Sequence, residues 1–82
     1  MAEATNIDLD MRELSPKEHH TAIFARFDAL RIGETLRLIF DQRPRLLQYQ
    51  FIVVRPGMYE WESEQQGPEI WVIRIRKTAS ER

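Results

Sequence analysis

The sequence predicts an α+β fold, a two-layer βαβαββ sandwich with two helices on one face of a four-stranded mixed sheet. Three observations lead there. Apolar residues alternate at Ile7, Leu9 and Met11 and again at Leu36, Leu38 and Phe40, the period of half-buried strands. Between them, Ser15-Pro16-Lys17-Glu18 opens a segment whose apolar residues Ile23, Phe27 and Leu30 recur at helical spacing. Near the C-terminus, two strand-like runs flank a polar, glycine- and proline-containing turn.

The first strand is expected over Asn6–Met11, with Asp8 and Asp10 on its solvent face. A helix follows. Ser15 serves as N-cap, Pro16 stands at a position where its missing N–H costs nothing, and Glu18 completes an S-x-x-E capping box. Its end is expected near Leu30, with Gly33 as a left-handed turn residue before a second strand over Glu34–Phe40. A strand–helix–strand order of these lengths implies a right-handed crossover and parallel strands. Residues 43–55 carry two signals. Leu47, Phe51 and Val54 are spaced as on a helix, whereas Phe51-Ile52-Val53-Val54 is rich in strand formers. The spacing, and Pro56-Gly57 as a stop, favour helix. Strands over Met58–Glu62 and Glu69–Lys77, joined by a turn at Glu64–Pro68, complete the pattern.

At 82 residues the chain makes one domain, its core over about residues 6–77 and its ends, 1–5 and 79–82, frayed. Twelve basic residues against thirteen acidic ones argue against a dedicated nucleic-acid or anionic-membrane binder. The absence of cysteine excludes thiolate nucleophiles, persulfide carriers, iron–sulfur clusters and cysteine-ligated zinc. No apolar run resembles a signal peptide or membrane span, so a cytoplasmic protein without a resident cofactor is expected.

Asp10-x-Arg12, Pro16-x-Glu18-x-His20, Gly33-Glu34, Asp41-x-x-Pro44, Pro56-Gly57, Trp61, Gly67-Pro68 and Trp71 occur in a fixed order. Together they resemble the bacterial family called domain of unknown function 2249, over roughly residues 7–77, and through it the TusA/SirA-like sulfur-carrier superfamily. The resemblance implies the same βαβαββ sandwich. It also implies that Ser15-Pro16 stands where the carriers hold Cys-Pro, so the persulfide chemistry is missing, because an unactivated hydroxyl does not carry sulfane sulfur. Two positions depart from the family pattern. His19 stands where an arginine is common, and Asp41-Gln42-Arg43-Pro44 replaces a frequent Asp-His-Asp-Pro.

The candidate site is a rim of polar residues at the strand ends and the start of the first helix: Arg12, Glu18, His20, Asp41 and Arg43. The C-terminal edge of parallel strands is where α/β ligand sites form. Each residue also has a plainer role. Asp10 with Arg12 and Asp41 with Arg43 can form ion pairs, Glu18 can be spent on the cap, and Trp61 and Trp71 can pack in the core. His19 and His20, adjacent on a helix, diverge by about 100° and do not easily chelate one ion. Phase and family pattern both favour His20 as the site residue, with His19 on the surface. These features suit a non-enzymatic binding module for a protein partner or small ligand. The rivals are a histidine-based metal or haem site in redox or nitrogen-oxide metabolism and, more weakly, RNA binding.

Overall fold

A computed structural model describes residues 6–79. The elements are β1 (Asn6–Asp10), α1 (Pro16–Ala29), β2 (Thr35–Phe40), α2 (Arg45–Val54), β3 (Tyr59–Gln66) and β4 (Trp71–Lys77). The sheet order is β1-β2-β4-β3, with β1 parallel to β2 and the other pairs antiparallel. The predicted α+β class and βαβαββ order are therefore observed.

Strand alternation sends one set of side chains to the helices. Leu36, Leu38, Phe40, Ile73 and Ile75 from the sheet meet Ile23, Phe24 and Phe27 of α1, Leu30 at its C-cap, and Leu47 and Phe51 of α2 in one buried cluster. Phe51 stacks on Phe24 at 4.5 Å and meets Phe27 edge-on at 5.2 Å, so one aromatic cluster joins both helices. Trp61 and Trp71 pack against the same core. The opposite sheet face is charged. Arg37 forks onto Glu64 and reaches Asp8, while Glu62 pairs with Arg74 and Glu60 with Arg76. Arg37 and Arg74 face each other across β2 and β4, and these acids offset the repulsion that two guanidiniums in register would otherwise cause.

The ends of α1 are closed by different means. At its start Ser15 Oγ accepts the Glu18 N–H, while Glu18 Oε1 accepts the Ser15 N–H, so both halves of the capping box form. At its end Lys77, only 5% exposed, donates from Nζ to the carbonyls of Asp28 and Leu30. A side chain from β4 thus satisfies helix carbonyls that lack partners of their own. Arg55, just past α2, forks onto Asp28 at 2.9 and 2.6 Å and ties the two helices together.

Several boundaries differ from expectation, the starts of β2, β3 and β4 among them, at Thr35, Tyr59 and Trp71 rather than Glu34, Met58 and Glu69. β1 ends at Asp10, one residue early, although the Met11 N–H still donates to Ile39 O. β3 continues to Gln66 rather than stopping at Glu62, because a bulge between Ser63 and Gln65 absorbs one residue and pairing resumes with β4. The turn therefore falls at Gly67–Ile70, closed by the Gly67 N–H on Ile70 O, and not at Glu64–Pro68. Gly67 has φ +75°, and a Cβ there would lie 2.7 Å from the Trp71 ring, so glycine is required twice over. Val54, expected on the buried stripe of α2, is exposed. Of the ends expected to fray, residues 1–5 and 80–82 lie outside the described range, while the Ala79 N–H is tied to Met58 O.

Candidate functional site

β1 and β2 are parallel neighbours, so their C-terminal ends open on the same edge. Asp10 and Arg12 stand at that edge, and Asp41 directly follows β2. Arg12 binds Asp10 through Nε (2.9 Å) and Nη2 (2.6 Å), and its N–H also donates to Asp10 Oδ1. These hydrogen bonds from Arg12 hold the Asp10 carboxyl down at about 2. A carboxylate so low is a poor proton acceptor at neutral pH. Asp41 adds a further electrostatic attraction to Arg12. Asp10, Arg12 and Asp41 thus form an exposed charge cluster in which Arg12 is already engaged.

Beside this cluster lies a cleft of about 210 Å³ between the start of α1, the end of β2 and the start of α2. Phe40, Pro44, Leu46 and Leu47 supply apolar lining, and His19, His20, Arg43 and Arg45 surround it with polar heads. α2 begins here with Pro44 at its N-cap, no side-chain cap and no acidic residue in its first turn. The first N–H groups of α2 therefore lack the side-chain partner that Ser15 gives α1.

The two histidines are held differently. His19 is half-buried, with Nε2 2.7 Å from Met11 O and its ring edge-on to Phe40 at 5.5 Å. A carbonyl carries no proton, so Nε2 must be the donor, and in the neutral ring Nδ1 is left as the acceptor. His20 is exposed and rests on Phe24 at 4.8 Å. The expectation that His19 is the surface residue is therefore corrected. Side chains lean toward the N-terminus of their helix, which carries His19 back to the end of β1.

Of the five residues expected at the site, the structure brings His20 and Arg43 together in the cleft. Arg12 and Asp41 belong to the adjoining charge cluster. Glu18 is occupied by the capping box. Arg43 takes no part in any side-chain hydrogen bond or ion pair among the described residues, so the expected Asp41–Arg43 pair does not form. Sequence reasoning missed His19, Arg45 and Gln50 as cleft residues. His19 carried a usable signal, standing four residues before the buried Ile23 and eight before Phe27. Among the described residues, no group of three histidine, aspartate or glutamate side chains gathers to hold a metal ion.

The family model DUF2249, described as an uncharacterized conserved protein, matches residues 8–77. The chain belongs to this family. No curated protein and no solved structure matches it significantly. The DUF2249 match spans every residue of the cleft and of the charge cluster. No helix among the described residues is long and apolar enough to cross a membrane.

Proposed function

We propose that this chain is a non-enzymatic binding module whose cleft takes a small anion with an apolar part, such as an aromatic carboxylate. The observation that carries this is the composition of one cleft: an apolar floor including Phe40 and Leu47, with Arg43, Arg45 and two histidines around it. Neither arginine takes part in a side-chain ion pair among the described residues, so both guanidiniums are available to a carboxylate. A volume of about 210 Å³ lies below the usual range for drug-sized ligands and suits a single ring.

Catalysis has little support. The lowered carboxyl of Asp10 is bound to Arg12, and the chain has no cysteine, so a persulfide-carrying role of the kind found in sulfur carriers is not proposed. The histidine–metal reading gains no supporting observation among the described residues, where no third histidine, aspartate or glutamate ligand gathers with the two histidines.

Isothermal titration with acetate, benzoate and salicylate is the test. Saturable binding of the aromatic acids is expected, weaker for acetate and reduced at least tenfold in Arg43→Gln. Absence of saturation by all three, or full retention in Arg43→Gln and Arg45→Gln together, would overturn the assignment.

A further inference from the structure

α2 is apolar on both sides. Leu47 and Phe51 are buried in the core, yet Leu46, Tyr49, Ile52 and Val53 are between 56% and 64% exposed. At 100° per residue, Tyr49 stands about 160° around the helix from Phe51. The exposed group is thus the outward face and not the margin of the buried one. A helix that is hydrophobic all round is ordinarily covered.

We infer that a second copy of this chain covers this face, with the two α2 helices packed antiparallel about a two-fold axis close to Tyr49. The first reason is area. Four half-exposed large side chains present on the order of 400 Å² of apolar surface, at the level where patches on monomers are often functional. A standard interface buries about 800 Å² per partner with somewhat more than half of it apolar. The flanking Gln48, Gln50 and Arg45 supply polar surface for a rim.

The second reason is self-complementarity. Leu46, Tyr49 and Val53 follow i, i+3, i+7 spacing, the seam of paired helices. Antiparallel pairing sets Leu46 of one copy against Val53 of the other, large against small, at both ends of a symmetric contact.

Arg45, Leu46 and Gln50 also border the cleft, but Tyr49, Ile52 and Val53, the centre and far end of the seam, do not. The pairing therefore stands or falls apart from what fills the cleft.

Sedimentation equilibrium on the full chain from 5 to 500 µM tests it. A mass approaching twice 9.8 kDa is expected, falling to the monomer in Tyr49→Asp and Val53→Asp with far-UV circular dichroism unchanged. Because the chain has no cysteine, Tyr49→Cys gives a second readout that keeps the dimer folded. It is expected to cross-link spontaneously in air, whereas Glu62→Cys on the opposite sheet face is not. A monomer at every concentration, a dimer that survives both aspartate variants, or equal cross-linking of the two cysteine variants would overturn it, whatever else the face then binds.

Discussion

Replacing Lys77 by methionine removes a charge from the interior while keeping most of the side-chain volume. The ammonium of Lys77 donates to Asp28 O at 3.1 Å and Leu30 O at 2.8 Å, and lies 5.4 Å from the centre of the Phe27 ring. Hydrogen bonds from a charged donor contribute about 1.5–3 kcal/mol each, but the desolvation of the ammonium offsets much of that gain. What decides the net loss is the acceptor left behind. A buried carbonyl without a partner costs about 1–3 kcal/mol, and the Leu30 end of α1 is shielded from solvent. A loss of about 2–3 kcal/mol is expected, a drop in Tm of roughly 10–20 °C for a domain of this size. Urea melts followed by the fluorescence of Trp61 and Trp71 measure it, with an unchanged slope showing that the unfolded state is not altered. Arg74→Met, on the exposed sheet face, is the control at under about 0.5 kcal/mol. A loss in Lys77→Met no larger than the control's would refute the role of Lys77 as the cap of α1.

His19→Ala should cost about 1–2 kcal/mol, through its bond to Met11 O and its contact with Phe40, as read by denaturant melts. His20→Ala should cost under about 1 kcal/mol and act on benzoate affinity instead, as read by titration. Ser15→Ala should lose about 1 kcal/mol in the same melts by removing one half of the capping box, with ligand affinity unchanged. The Asp10 carboxyl, lowered from 3.8 to about 2, stabilises the fold fully above pH 4, and that contribution fades as pH falls toward 2. Asp28 and Glu64, lowered by Arg55 and Arg37, act in the same direction. Stability measured from pH 5 to pH 2 should therefore decline, and less steeply in Asp10→Asn.

The parts of the fold legible in the sequence are those specified by close neighbours. Ser15 and Glu18 lie three apart and their mutual bonding is local, so the start of α1 could be read directly. The length of β3 could not. As an edge strand with a bulge it carries Glu64, Gln65 and Gln66 in an extended conformation, and those residues look like turn residues when the pairing with β4 is unknown. The site follows the same division. Its location at the strand ends comes from the parallel β1–β2 order, which alternation revealed. Its lining does not, because the cleft exists only where the start of α2 comes up against His19, His20 and Phe40. Arg45 and Gln50 are surface residues of α2 until that packing is known.

The charged sheet face bears on how many partners the molecule can accept. Its arginines are matched by Glu60, Glu62, Glu64 and Asp8, and glutamates line the outer strand β3, where unpaired backbone would otherwise recruit another strand. In the pairing inferred above, the adhesive side is α2. A body with a single adhesive side that pairs with its own kind about a two-fold axis has a valence of one. Once that side is used, no equivalent side remains to extend a chain, and growth stops at two copies rather than running on into fibres.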